Sequence, residues 1–306
     1  MIQEVVIPIA GLGTRFLPFT KSVSKEMLPL MNKPAIHYIL EEAVASGIRS
    51  CCFITGRGKP MVADYLSPSK DLHDLVKARD RLGLLTHIDI LAAQMKVHFI
   101  EQVEPIGLGD AILRAQASIV GDFFGVMLPD DIICGTMPGL MQLMNFAKQE
   151  QVTVIAVQEV PQSVVSSYGV IAIKNRLNDY AYEVADVVEK PDIDKAPSAL
   201  AIVGRYVLSR KIFEILEHMA PTQGELQLTD GIAQMIKQGE PVFAYKIQGD
   251  RYDIGVPSGF IKAMISLALQ DPRYKDEIKQ FIMDKGIIEN PASDVKSLYK
   301  SPLIQE

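Results

Sequence analysis

The sequence has little cysteine, little net charge and no long apolar run, and each shortage removes a class of function. Cys51, Cys52 and Cys134 are odd in number and the first two adjoin, a spacing that rarely bridges. Reduced thiols in a cytoplasm, acting as small buried hydrophobes, are therefore expected. There is no secretory n-region and no apolar stretch of about 18 residues, which supports neither export nor membrane spanning. A net charge of -6 over 306 residues argues against broad nucleic-acid binding, which needs basic patches that release counterions. Any bound anion must instead meet a local cluster. The five histidines, at positions 37, 73, 87, 98 and 218, show no metal or catalytic spacing. Repeats, low-complexity tracts and Pro/Gly/Ser linkers are missing too, so no hard domain boundary is expected.

With 48% hydrophobic and 22% charged residues, the chain can bury roughly three quarters of its unfolded surface. Residues 2–9, 50–55, 96–102 and 123–129 are apolar or β-branched runs. Between them, 34–46 and 108–119 have helical spacing, the first closed by Gly47 at a C′ position, and 68–93 reads as a helical excursion. This alternation predicts an α/β fold with a mainly parallel sheet and helices on both faces. Strands at 152–160, 168–173, 181–189 and 200–208 follow with little helix between them, predicting a mixed, β-rich extension that carries a second substrate. Residues 257–285 read as helices, and the tail beyond Asn290 is weakly patterned.

The most informative stretch runs from Val5 to Pro29. Val5, Val6, Ile7 and Ile9 read as a buried first strand. Gly11 and Gly13 then lack the Cβ that would keep a ligand from the backbone, and Arg15, Lys21 and Lys25 follow. A cation about 4 Å from a phosphate charge gains roughly 4 kcal/mol at an effective dielectric near 20. Gly11 and Gly13 alone fit a tight strand-to-helix turn with solvated basic residues equally well; the whole spacing favours a polyphosphate site. A dinucleotide fingerprint needs a third glycine where Phe16 stands, and no Gly-Lys-Ser/Thr follows four residues after Gly11, so nicotinamide and P-loop sites are disfavoured. In such sheets ligands gather at strand carboxyl ends. Gly11–Arg15, Gln102, Asp130 with Asp131, and Glu189 with Lys190 all fall at expected strand ends, predicting one site on one edge. Asp130 offers a hard oxygen ligand where Mg²⁺ can bridge phosphates, and Asp131 reads as capping or orienting.

The string GLGTRFLPFTKSVSKEMLP, followed by NKPAIHYILEEAVASGI, resembles the nucleotide-sugar pyrophosphorylases, in particular the bacterial UDP-glucose pyrophosphorylases. Gln102 with GLGDA (107–111), LPDD (128–131), SYGV (167–170), VEKP (188–191), AIVGRYVL (201–208), GELQLTD (224–230) and Asp253-Ile254-Gly255 occur in that family's order, over about residues 2–270. The resemblance implies a Rossmann-like nucleotidyltransferase fold. It also implies Mg²⁺-dependent condensation of UTP and glucose 1-phosphate to UDP-glucose and pyrophosphate, without a covalent enzyme intermediate. Ala10, Gly11, Leu12, Gly13, Thr14, Arg15, Lys25, Glu26, Gln102 and Gly107 would bind the nucleotide, with the Gln102 amide matching the edge of uracil. Tyr168, Gly169, Glu189, Lys190 and Val203 would bind the sugar phosphate. Arg15, Lys25, Asp130 and Lys190 would be catalytic, and Asp130 with Asp253 would ligate the metal. A homodimer or homotetramer is implied, with 257–290 as interface. The expected organisation is a single domain over 1–290, with a nucleotide part at about 1–150, a sugar-phosphate part at about 151–256 and a tail at 291–306. Two positions depart from the family pattern. Ile254 stands where relatives often have Cys, and Asp110, where many have His, adds a negative charge near the presumed nucleotide. A sister enzyme using dTTP or another sugar phosphate, and a non-catalytic nucleotide-sugar sensor, are the alternative readings. The sensor should have lost Arg15, Lys25 or Asp130, and all three are present.

Overall fold

The apolar runs do form strands, and their two-residue alternation decides which of two cores each side chain joins. The structure is a computed structural model that describes residues 2–286 apart from 80 and 82. The expected tail, 291–306, and residues 287–290 lie outside the described residues. In chain order the strands are β1 Glu4–Ile9, β2 Pro29–Leu30, β3 Lys33–Pro34, β4 Ser50–Gly56, β5 Lys96–Gln102, β6 Phe123–Met127, β7 Asp131–Cys134, β8 Thr153–Glu159, β9 Gly169–Arg176, β10 Ala181–Glu189, β11 Leu200–Ser209, β12 Val242–Lys246 and β13 Asp250–Asp253. The helices are α1 Ala35–Ala45, α2 Met61–Leu66, α3 Lys70–Ala78, α4 Gly83–Ala93, α5 Leu108–Arg114, α6 Gly139–Glu150, α7 Ile212–His218, α8 Leu228–Lys237, α9 Pro257–Gln270 and α10 Lys275–Asp284.

Nine strands make one sheet in the order β5-β4-β1-β6-β11-β8-β12-β10-β9, with the pairs β2–β3 and β7–β13 beside it. Successive side chains of a strand face opposite ways. Val6, Cys52, Phe124 and Val126 therefore pack under α5, α7 and α8, whereas Val5, Ile7, Cys51 and Phe53 pack under α1 and α6. Each fully buried Val, Ile or Phe contributes roughly 1.5–3 kcal/mol. Burial pushes the Cys51 and Cys52 thiols up, which keeps them protonated and unreactive, as expected of thiols used as hydrophobes. Among the described residues no helix is long and apolar enough to cross a membrane.

β5, β4, β1 and β6 run parallel, with Ile9 beside Thr55 and Gly56 beside Gln102. Their carboxyl ends therefore share an edge. The second half is mixed: β11 runs against β6 and β8, β12 runs with β8, and β10 runs against β12 and β9. β10 thus points opposite to β1, and strand direction does not carry Glu189 to the shared edge. Register shifts between Glu183 and Val184 and between Val184 and Asp186 bend it instead. A single pairing, Ala201 with Val170, lays the β9–β10 ribbon against the start of β11. The helix expected over 108–119 is also shorter, ending at Arg114 and followed by a 3-10 turn at Gln116–Ser118.

Candidate active site

After β1 the chain makes three short 3-10 turns, Thr14–Phe16, Phe19–Lys21 and Lys25–Met27, rather than entering a helix. Gly13 sits at φ +64, a left-handed conformation that glycine takes without strain. Its carbonyl accepts the Thr20 hydroxyl at 2.8 Å, and a Cβ on it would stand 3.1 Å from Lys25. Lys59, in the loop after β4, donates to the carbonyls of Ile9, at 3.3 Å, and of Gly11. Across the planar trans peptide the Leu12 N–H then faces away from Lys59. Arg15 is exposed and makes no ion pair among the described residues. The loop therefore presents amides and one free guanidinium, the groups a polyphosphate needs.

Lys25 Nζ lies 2.6 Å from Asp130 Oδ2. Burial alone would lower the lysine and raise the aspartate, but their mutual attraction wins for both: Lys25 is held above its ordinary value and Asp130 below. Both groups stay charged at neutral pH. Asp253 joins them at Gly255. A Cβ on Gly255 would stand 3.0 Å from Asp130 Oδ2 and 3.0 Å from Asp253 Oδ1, so only a glycine leaves the two carboxylates side by side. The Gly255 N–H donates to Asp253 Oδ1 at 3.0 Å and the Ile254 N–H to the Asp130 carbonyl at 2.8 Å. Two adjacent hard carboxylates suit a small divalent cation. No group of three or more metal-ligating side chains occurs among the described residues, so an ion here would complete its shell with water or substrate oxygens.

Asp131 is held by protein donors. Its carboxylate takes Arg251 at 2.5 Å and the Gly204 N–H at 2.7 Å. A side chain at Gly204 would collide with it. Beneath them, fully buried Arg205 spends all five N–H donors: on both oxygens of Glu42 at 2.8 and 2.7 Å, and on the carbonyls of Leu128, Gly204 and Asp131 at 3.2, 2.8 and 2.8 Å. One guanidinium thus ties α1, β11 and the Leu128–Asp131 loop that carries Asp130.

The residues expected to meet the base lie around the ends of β4 and β5. Gly56 is flanked by Gln102 in register and by Ala10, whose carbonyl would be 3.0 Å from a Cβ on Gly56. Glu26 is 1% exposed, and neither carboxylate oxygen has a partner among the described residues. Burial pushes it up, although Lys25 and Lys59 pull the other way. An orphaned buried carboxylate is a place for a ligand donor. Gln102 is nearly buried and donates to the Gly107 carbonyl at 3.2 Å and to Asp110 at 2.7 Å. Asp110 is neutralised by Arg114 at 2.8 Å, so its charge does not stand free beside the nucleotide. Gly107, at φ +110, is required by packing: a Cβ would stand 2.5 Å from the Leu226 carbonyl.

On the expected sugar side, Glu189 Oε2 accepts the Thr229 hydroxyl at 2.8 Å, and Lys190 lies 3.2 Å from Glu189. A Cβ on Gly169 would be 3.1 Å from Glu189 Oε2. Lys190 holds φ +43, unusual for a lysine, and its N–H donates to the Tyr168 carbonyl at 3.0 Å. Glu189, Lys190, Gln223, Gln227 and Asp230 line a groove of about 530 Å³. Arg251 joins the two sides: it stacks over the Tyr168 ring at 5.2 Å, pairs with Asp131 and lies 3.8 Å from Asp253. Val203 is the exception among the expected residues. Its side chain is buried in the core beneath α1 and α6, leaving only backbone for a ligand.

Lys59, Arg251, Arg205, Glu42, Gly56 and Thr229 are absent from the sequence reading. An arginine inside the apolar run AIVGRYVL was a signal, because a buried charge demands a partner; Glu42, far away in sequence, was not identifiable. The GRGK loop after β4 and the arginine two residues before Asp253 were weaker signals.

The nucleotidyl transferase family model matches residues 4–269. The UTP–glucose-1-phosphate uridylyltransferase of Streptococcus pneumoniae serotype 4 is 44% identical over 290 residues, covering 93% of this chain and 96% of the relative. That of Staphylococcus haemolyticus is 43% identical over 286 residues, covering 93% and 99%. A UDP-glucose pyrophosphorylase solved with UDP-glucose superposes with a TM-score of 0.80 at 37% identity, covering 89% of this chain and all of that one. A UTP-bound enzyme from Acinetobacter baumannii gives 0.85 at 36%, covering 92% and 99%. With a charged rim of Lys25, Asp130 and Asp253 in a fold shared with these proteins over most of its length, the chain belongs to the nucleotidyl transferase family, in the group of UTP–glucose-1-phosphate uridylyltransferases.

Proposed function

We propose that this chain condenses UTP with α-D-glucose 1-phosphate, giving UDP-glucose and pyrophosphate. The observation that carries the reading is the row of residues that runs from Lys25 to Asp130, past Gly255 to Asp253, and on through Arg251 and Tyr168 to Lys190, and would span a nucleotide side and a sugar side. A phosphate monoester has its second pKa near 6, so the sugar phosphate is largely dianionic at neutral pH and needs no base. Its oxygen attacks the α-phosphorus of UTP, an O–P bond forms, and the α–β bridging oxygen leaves with the bonding pair as pyrophosphate.

The difficulty is repulsion between two anions. Leu12 and neighbouring amides with Arg15 would hold the β- and γ-phosphates, Lys25 would meet the α-phosphate, and Lys190 would hold the sugar phosphate in line. Glu189 would accept glucose hydroxyls, and Gln102 with Glu26 would read the nucleoside. Asp130 and Asp253 would hold Mg²⁺, which when bound supplies a Lewis acid that offsets phosphate charge. Pyrophosphate release, measured with UTP, dTTP, CTP or ATP and glucose 1-phosphate with and without Mg²⁺, tests this. Release confined to UTP and Mg²⁺ supports it; release with another nucleotide in preference to UTP overturns it.

Residues 1–290 as a single domain is likewise a proposal, supported by β11 and β12 sharing one sheet with β1. So is a homodimer or homotetramer. Exposed Ile261, Ile265 and Phe281 on α9 and α10 suit an interface, and light scattering reads the mass.

A further inference from the structure

We propose that Asp110, held by Arg114, fixes the Gln102 amide so that the base pocket presents a hydrogen-bond acceptor, and so selects a base with an N–H at that point. The inference rests on the placement of the base at Gln102 proposed above. An amide can turn either its oxygen or its nitrogen to a ligand, and the two ends have almost the same shape. Nothing within a glutamine chooses between them. Here the choice is made by a carboxylate, which when ionised only accepts: Asp110 Oδ2 lies 2.7 Å from Gln102 and 2.8 Å from Arg114 Nε. The Arg114 guanidinium, which can only donate, faces the same carboxylate oxygen. The second amide hydrogen goes to the Gly107 carbonyl at 3.2 Å. Both donors of Gln102 are thereby spent, and Oε1 has no partner among the described residues. Gln102 and Asp110 are 4% and 7% exposed, so water does not relieve the constraint.

Uracil and thymine carry N3–H and satisfy this acceptor. Cytosine offers a lone pair at N3, so the two acceptors would repel. The selection is therefore by base edge, independent of the ribose and of the 5-position.

The test compares kcat/KM for UTP, dTTP and CTP with glucose 1-phosphate. Asp110→Ala frees the amide to rotate, and the UTP-over-CTP ratio falls about tenfold or more. The UTP-over-dTTP ratio and the KM for glucose 1-phosphate stay put. Asp110→Asn, which keeps an oxygen between Gln102 and Arg114, restores most of the preference. Asp110→Ser, whose hydroxyl donates or accepts alike, gives the same reading should the alanine variant not fold. Equal losses for UTP and CTP would reduce Asp110 to a structural role and overturn the proposal. Gln102→Ala separates the two levels. If it leaves the KM for UTP unchanged, the base is not there and both readings fall; if it raises that KM while Asp110→Ala leaves the UTP-over-CTP ratio alone, only this one does.

Discussion

The proposed nucleotide side and the proposed sugar side each end in a lysine next to a carboxylate, yet the two pairs are built differently. Lys25 and Asp130 come from segments 105 residues apart, meet at 2.6 Å and are 19% and 29% exposed. Lys190 and Glu189 are chain neighbours, 3.2 Å apart, and the lysine is 56% exposed. Removing one partner of a fully buried pair strands a charge at about 3–5 kcal/mol and an exposed pair contributes about 0–1 kcal/mol, and the partly buried Lys25–Asp130 pair lies between these limits. The nucleotide side is thus a preorganised charge array locked from beneath by Arg205. The proposed sugar side is an open groove with an exposed lysine at its edge.

The comparison would break most plainly at Asp130. Asp130→Ala should lower kcat roughly 10³-fold, with Lys25→Ala somewhat less damaging; a loss below tenfold in a pyrophosphate-release assay would mean that the buried pair is structural only. Beneath it, Arg205→Lys cannot reproduce a five-donor fork and should lose about 3–5 kcal/mol of stability in urea unfolding. On the open side, Lys190→Ala should raise the KM for glucose 1-phosphate about tenfold and leave folding stability within about 0.5 kcal/mol. A matching rise in the KM for UTP would erase the distinction between the two sides.

The smallest effect gives a baseline outside both regions. Burial alone would raise the Glu41 carboxyl on α1, but hydrogen bonds from His37 and Lys33 pull it down to about 2 from 4.5. A depressed acid adds stability that is fully present above its unfolded value and fades as pH falls through the folded one. Glu41→Gln should therefore lower the thermal midpoint at pH 7 and converge with the parent as pH drops from 4.5 toward about 2. Glu41 is 40% exposed on its side chain, so solvent screening limits the difference to about 1 kcal/mol. A gap that persists undiminished at the acid end would rule out the charge as its source.

Much of this was legible in the residues. The strands at 4–9, 50–56 and 123–127 stand where the apolar runs put them, because a buried parallel strand writes its burial into consecutive positions; the edge strand at 96–102 is mostly exposed and was legible from its β-branched and aromatic residues. The glycine loop and LPDD were readable for the same local reason. β12 and the β7–β13 pair were not, since short runs interrupted by Asp, Arg or Lys carry too little apolar pattern to separate a strand from a loop. The anticipated charge of Asp110 near the nucleotide also changed meaning once Arg114 and Gln102 were found around it.

By itself, then, the sequence determined the parallel half of the sheet, the glycine loop after β1 and the family, all written in neighbouring residues and their spacing. Tertiary structure alone decided that Lys25 answers Asp130, that Arg205 answers Glu42, that Arg251 links Asp131 to Tyr168, and that a bent β10 brings Glu189 to an edge its direction opposes. The physical reason is that burial makes a charge require a partner without saying which one. That choice is set by where distant segments come to lie in three dimensions.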